Sequence, residues 1–536
     1  MNPQAKPAPG RLAPLGFWLL FGAFCLTGCA SLPKRAADTG IHGVPDTSGT
    51  SWSRVLAPAV AEHPDKSGVE LLMHAQDALA ARLALADTAE CSLDVQYYIW
   101  ERDEAGRLLF EHLLRAADRG VHVRLLLDDV GVSASDTTLL AVDSHTNIEV
   151  RLFNPLAGRN FRMLSLLTDY RRANRRMHNK SFTVDRHVTI VGGRNVGDRY
   201  YAAGEQPHFA DFDVLAAGPA AEEVAAMFDR YWWSSSSRRI RTLVENPAAA
   251  ELLGQMRAEL DLRVAAITNS TEFADLDQKE VATRISEHRP ALVWGSTSLV
   301  YDLPEKITTD EEDVATHIMP KLRRVADETQ REIFLVSPYF VPGKRGVAFF
   351  QSLRQRGVRV VVLANSLASN DVLAVHAGYR RYRKPLLRAG VELYELKPTA
   401  YIRDSDQDDK RPRKRRKNVP GSSLHAKAFI FDHSTLFVGS LNLDPRSSSL
   451  NTEMGLLMEI PELARPTADA LEASLAENAY RLQFVPGPGP CKECGSIVWL
   501  SQENGQVVRY TREPKTSFVQ RLMVTLISIL PIESQL

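Results

Sequence analysis

The chain alternates between two hydrophobic periods, and their order along the sequence predicts its architecture. Leu72, Ala75, Leu79 and Leu83 recur at helical spacing, the stripe by which a helix packs on a sheet. Ser92–Trp100 reads as a strand, Gly106–Arg119 as a helix and Val121–Leu127 as a second strand after the break at Gly120. Ile148–Phe153 continues the alternation, and the alternating segments Ser181–Val184 and Ala428–Phe431 read as strands. Strand–helix–strand order of this kind predicts an α/β fold with a mostly parallel sheet flanked by helices.

The pattern then starts again. Ile333–Phe340 corresponds to the early strand, and Gln355-Arg356-Gly357-Val358-Arg359-Val360 echoes Asp118-Arg119-Gly120-Val121-His122-Val123. Gly390-Val391-Glu392-Leu393-Tyr394 likewise echoes Asn147-Ile148-Glu149-Val150-Arg151. Internal duplication predicts two lobes related by a pseudo-twofold axis, over residues 66–240 and 291–485, with 241–290 as a helical connection. Pro486-Gly487-Pro488-Gly489-Pro490 marks the next boundary, and Ile497–Leu500 with Val507–Tyr510 around Asn504-Gly505 reads as a hairpin.

Both ends carry apolar segments. Lys6 and Arg11 precede the run Leu12 to Leu26, so residues 1–28 read as a targeting segment and the Ser-, Gly- and Pro-rich 29–65 as a tether. At the other end, Phe518–Leu530 is apolar except for Arg521, Thr525 and Ser528, which form one narrow polar stripe on a helix. It is short of the roughly 20 residues a membrane span needs. It therefore either packs on the lobes or lies in a membrane interface.

Composition narrows the field. Lys plus Arg and Asp plus Glu are equal at 65 each, which argues against a nucleic-acid partner. A hydrophobic content of 44% fits a globular chain and not a multi-span membrane protein. Lys410–Lys417 is a local basic run. It reads as a solvated loop, a contact with anionic lipid headgroups or a nucleic-acid contact. Cys491 and Cys494 lack the second ligand pair of structural zinc, leaving a local disulfide as the other reading.

The chemistry lies in a repeated motif. Met177-His178-Asn179-Lys180-Ser181-Phe182-Thr183-Val184-Asp185 and Leu424-His425-Ala426-Lys427-Ala428-Phe429-Ile430-Phe431-Asp432 both read His-x-Lys-x4-Asp. Gly192 and Gly439 each follow their His by 14 positions, and Asn195 and Asn442 by 17. Matched offsets point to two half-sites. A phosphodiester needs its oxygens neutralised before a nucleophile approaches. Lys180 and Lys427 supply point charges for that, and Asn195 and Asn442 supply amide donors. Two imidazoles divide the remaining work, one attacking phosphorus and the other moving the proton of the leaving and entering alcohols. The scheme calls for no metal and no cofactor.

These stretches resemble the phospholipase D superfamily and, within it, the bacterial cardiolipin synthases. Leu93-Asp94-Val95-Gln96-Tyr97-Tyr98-Ile99-Trp100, Arg175-Arg176 before the first His, Asn442-Leu443-Asp444-Pro445-Arg446-Ser447 and Asn451-Thr452-Glu453 carry the likeness. The resemblance implies a site at the seam of the two lobes. It implies Asp185 and Asp432 as members of that site, Asp211 orienting His425 and Glu453 orienting His178. It also assigns His178 as nucleophile and His425 as acid–base partner. The activity it implies is phosphatidyl transfer on phospholipid substrates at a membrane surface. A phospholipase D hydrolase, a nuclease of the same superfamily and a non-catalytic lipid-binding lipoprotein are the competing readings. Leu26-Thr27-Gly28-Cys29 resembles a bacterial lipoprotein box, implying lipidation at Cys29. Ala30 in the following position implies outer-membrane placement facing the periplasm.

Overall fold

The computed structural model describes residues 46–536 apart from 160–168, 202, 204–207, 269, 271–272, 274, 311, 401–421 and 488–493. The targeting segment, Cys29, the basic run and Cys491 thus lie outside the described residues, while Cys494 is disulfide-bonded.

The first lobe holds β1 (Ser67–Leu72), β2 (Ser92–Tyr97), β3 (His122–Asp128), β4 (Ile148–Phe153), β5 (Ser181–Val184), β6 (Val188–Gly192), β7 (His208–Ala210), β8 (Asp213–Ala217) and β9 (Ser237–Arg239). Its sheet runs β9-β4-β3-β2-β5-β6-β8-β1. The second lobe holds β10 (Val293–Tyr301), β11 (Glu332–Val336), β12 (Arg359–Asn365), β13 (Glu392–Leu396), β14 (Ser422–Leu424), β15 (Ala428–Phe431), β16 (Thr435–Gly439), β17 (Met454–Glu459) and β18 (Ala479–Val485). Its order, β18-β13-β12-β11-β15-β16-β17-β10, repeats the first strand for strand. β1 and β10 pair antiparallel, Gly68 opposite Trp294, and fuse the two sheets into one. A second bridge crosses the seam where β7 and β14 pair in parallel. β19 (Ser496–Glu503) and β20 (Gln506–Tyr510) extend the edge at β18 as a hairpin.

The two-lobed α/β architecture stands as expected, but the sheets are mixed and not mostly parallel. Within the two lobe sheets, only β2-β3-β4 and β11-β12-β13 are parallel. These are the strands joined by helical crossovers, namely α3 (Glu104–Asp118) and α4 (Asp136–Asp143) in the first lobe. The links from Val184 to Val188 and from Phe431 to Thr435 are too short for a crossover and impose hairpins. Each hairpin turns through two successive left-handed residues, Asp185 and Arg186 in one, Asp432 and His433 in the other.

The tether reading also needs correction. Within it, α1 (Ser51–Glu62) is capped by Thr50 and buries Trp52 and Leu56. The Trp52 indole donates to Thr88 Oγ1 on α2 (Ala75–Thr88) at 3.2 Å. Two apolar anchors one turn apart suffice to dock a short helix, and the surrounding Ser, Ala and Pro obscure them in the composition. In the connection, α6 (Ala249–Thr268) and α7 (Glu280–Ser286) place Leu260, Ile267 and Ile285 in the same core as β2 and β3. Between these, α5 (Pro219–Trp232) covers the other face of the first sheet, packing Val224 and Phe228 with Val69 and Val214.

Candidate active site

Each His-Lys pair sits in the loop that leads into a hairpin strand, His178 and Lys180 before β5 and His425 and Lys427 before β15. The loops are held by the opposite lobe. His178 N–H donates to Thr452 O at 2.9 Å and His425 N–H to Ala210 O at 2.8 Å. The residue that follows each of those carbonyls is a carboxylate. Glu453 Oε2 lies 2.8 Å from His178 Nδ1, and Asp211 Oδ2 lies 2.5 Å from His425 Nδ1. With Nδ1 engaged by a carboxylate, Nε2 is the nitrogen left to meet a substrate. Each lobe thus completes the other's half-site.

Charge is arranged around these pairs. Lys180 Nζ donates to His178 O at 2.6 Å, and Lys427 Nζ bonds the carbonyl of His425 and approaches its Nδ1 at 3.0 Å. Burial pulls both imidazoles down to about 4, helped by the neighbouring lysines, so each is neutral and nucleophilic at neutral pH. Burial also lowers Lys180 to about 7 and Lys427 to about 8, against the pull of Glu453 and Asp211. Burial alone would raise the two carboxyls. The imidazoles and lysines facing them keep both ionised, with Asp211 at about 2.

Several supports lie outside the repeated His-Lys motif. Tyr98 meets His178 edge-on at 5.0 Å, and Tyr200 meets His425 the same way at 5.2 Å. Ser440 Oγ donates to Glu453 Oε2. Asp302 Oδ2 accepts from Glu453 N–H at 2.8 Å and from Lys306 Nζ at 2.9 Å, while its Oδ1 accepts from Ile318 N–H at 2.6 Å. Tyr98 lies inside a motif quoted above and was legible in part. Tyr200, Ser440 and Asp302 stand in no repeated pattern.

The structure brings together His178, Lys180, Glu453, His425, Lys427 and Asp211, and it moves Asp185 and Asp432 elsewhere. Asp185 accepts from the backbone N–H groups of Glu90, Cys91 and Ser92, tying the turn after β5 to the start of β2. Asp432 does the same for Gln330, Arg331 and Glu332 before β11. Four strand residues separate each from its Lys, five steps and so about 17 Å at the strand rise. They are sheet fasteners, not members of the site. Asn195 differs from its expected role too. Its Oδ1 accepts from Ile99 N–H and its Nδ2 donates to Tyr200 OH at 2.9 Å, so it braces the ring against His425. Asn442 is buried, and among the described residues its Oδ1 has no partner.

Comparison with known proteins agrees with this geometry. The family model described as cardiolipin synthase, PLD-like domain, matches residues 83–232 and 322–474, one stretch in each lobe. The chain is 43% identical to Cardiolipin synthase C of Escherichia coli K12 over 483 residues, 89% of this chain and 98% of that one. It is 30% identical to an uncharacterized protein of Helicobacter pylori strain J99, over 96% of this chain and 99% of the other. Among solved structures, the phosphatidylserine synthase of Haemophilus influenzae superposes with a TM-score of 0.53 at 14% identity. That match covers 90% of this chain and all of the other, and it supports the fold. With both half-sites inside the matched stretches, the chain belongs to the cardiolipin synthase family of phospholipase D-like proteins.

Proposed function

We propose that this enzyme is a phosphatidyltransferase that forms cardiolipin from phospholipids through a phosphohistidine. The observation that carries the reading is the pair of neutral imidazoles, each braced by a carboxylate from the opposite lobe. His178 Nε2 attacks the phosphorus of a phospholipid, a P–N bond forms and the P–O bond to the headgroup breaks. His425, protonated from solvent as the substrate enters, gives its Nε2 proton to the departing alcohol. The phosphodiester anion raises the proton affinity of that imidazole when it enters the site, and Asp211 holds the resulting charge. His425 then takes the proton of an incoming phosphatidylglycerol hydroxyl, whose oxygen displaces His178 and restores the enzyme. Lys180 and Lys427 neutralise the phosphoryl oxygens throughout. Incubation with labelled mixed phospholipids tests this. Labelled cardiolipin is the expected product, and phosphatidate alone would mean that water takes the intermediate.

The lysines set a pH limit. Burial lowers their affinity for protons, so each is charged below its pKa and loses its charge as pH rises through about 7 for Lys180 and about 8 for Lys427. Turnover on phospholipid should fall about tenfold per pH unit once Lys180 is neutral and about a hundredfold per unit once Lys427 is neutral as well. A kcat/KM profile flat to pH 10 would remove the lysines from the charge-stabilising role.

Phospholipid substrates put the enzyme at a membrane. We further place it on the periplasmic side of the outer membrane, anchored by an acyl group on Cys29. Mass spectrometry of the mature N-terminus should find the modified cysteine, and an intact Met1 terminus would sink that placement.

A further inference from the structure

The C-terminal helix is mounted with its apolar face outward. α8 (Met319–Glu328), α9 (Gly343–Gln355), α10 (Leu373–Arg388) and α11 (Pro461–Asn478) flank the second sheet, and α12 (Phe518–Ile527) rests on α10. α12 buries Val524 alone, against Leu367 and Ala377, with Leu373 and Ile527 alongside. Phe518, Val519, Leu522, Met523 and Leu526 are all exposed, Phe518 by 70%, and Ile529 and Leu530 just beyond the helix are exposed as well. At about 100° per residue these form one continuous face, and Val524 lies roughly opposite its centre. The polar stripe flanks buried Val524 and borders α10. Arg380 Nη1 donates to Thr525 Oγ1 at 2.8 Å, and Arg381 Nε donates to Ser528 O at 3.1 Å. A helix that serves only the core would be turned the other way.

Charge and position say what covers this face. Arg509, Arg512 and Lys515 precede the helix and are exposed, as are Arg380 and Lys384 on α10. The acids nearby are spent, Glu513 on buried Arg383 and Glu533 on Arg381. An apolar face edged by cations matches an anionic phospholipid surface. The helix also stands at the rim of the site. Asp371, two residues before α10, accepts from Tyr339 OH at 2.9 Å and its charge reaches Lys427. The chain end is tied to the same rim, where Arg446 N–H donates to Leu536 O at 2.6 Å.

We propose that the outward face of α12, with Ile529 and Leu530, docks into the interfacial layer of a phospholipid bilayer and sets the seam of the two lobes at the headgroups. α12 is a ten-residue helix, and no helix among the described residues is long and apolar enough to cross a membrane. The face lies in the interface, about 5–10 Å deep. The inference rests on the lipid substrate proposed above for its choice of surface, but the quenching that decides it needs no cardiolipin synthesis.

The full-length lipidated chain carrying Cys91→Ser and Met523→Cys, labelled at the new thiol with a fluorophore, is reconstituted in phosphatidylglycerol–phosphatidylethanolamine vesicles. Part of the lipid bears a nitroxide high on its acyl chain. Fluorescence should fall to about half or less, the depth expected of an interfacial helix. Adding Leu522→Glu and Leu526→Glu should restore it, with melting temperature and turnover of a soluble phosphodiester unchanged. Fluorescence unaffected by the nitroxide lipid overturns the docking. So does self-quenching between probes that disappears on dilution of the protein in the bilayer, which would mean a second copy covers the face. If the double variant fails to fold, the quenching of the single labelled chain still decides. An enzyme that docks but makes no cardiolipin leaves this inference standing and removes only the proposed activity.

Discussion

Replacing His178 or His425 with alanine should each reduce phosphatidyl transfer by at least about 10⁴-fold, the scale on which removing a nucleophile or its acid–base partner acts. The two losses differ in kind. Without His178 no covalent intermediate forms. Without His425 the attack is slowed, but above all the intermediate loses the base that activates the incoming alcohol. Labelled phospholipid should therefore leave phosphate trapped on His178 in the His425→Ala protein and none in the His178→Ala protein. Both imidazoles are almost buried, His178 against Glu453 and the edge of Tyr98, and His425 against Asp211, Lys427, Tyr200 and Phe209. Circular dichroism should show both variants folded. Label found on His425 reverses the roles, and near-full turnover in either variant ends the two-histidine mechanism.

The largest expected effect on stability comes from Asp302→Ala. Asp302 and Lys306 form an ion pair with both side chains at 0% exposure. Removing one partner leaves a buried charge without its counter-ion, a loss of about 3–5 kcal/mol. The same substitution frees the backbone N–H groups of Glu453 and Ile318. Glu453 then loses the backbone contact that helps Ser440 fix where its carboxylate meets His178. Chemical denaturation should show the stability loss, and residual turnover should fall further than folded fraction alone explains. Asp302→Leu combined with Lys306→Met removes both charges and should recover most of the stability but not the turnover. If the single variant unfolds at the parent's denaturant midpoint, the pair is not the support described here.

Much of the site could be read from the chain because it is written twice. Four matched offsets in two distant stretches single out His178, Lys180, His425 and Lys427, and His and Lys two apart on an extended segment share one face whatever the rest of the fold does. The strand–helix alternation carries the two lobes for the same local reason. What the tertiary structure decided is everything that crosses space without a local pattern. Glu453 reaches His178 over 275 positions and Asp211 reaches His425 over 214, and only a resemblance, not spacing, connects them in sequence. Asp185 and Asp432 sit close to the histidines along the chain, but an extended strand carries them to its far end, where they fasten the sheet. Sequence proximity and spatial proximity part wherever the backbone is extended. The C-terminal helix makes the same point in reverse. Periodicity marks its apolar face and its polar stripe, yet a hydrophobic face satisfies a protein core and a lipid interface equally well. Its orientation was settled by Val524, packed on Leu367 and Ala377, and by the arginines of α10 that bond Thr525 and the Ser528 carbonyl beside it, which leaves the broad apolar side facing out.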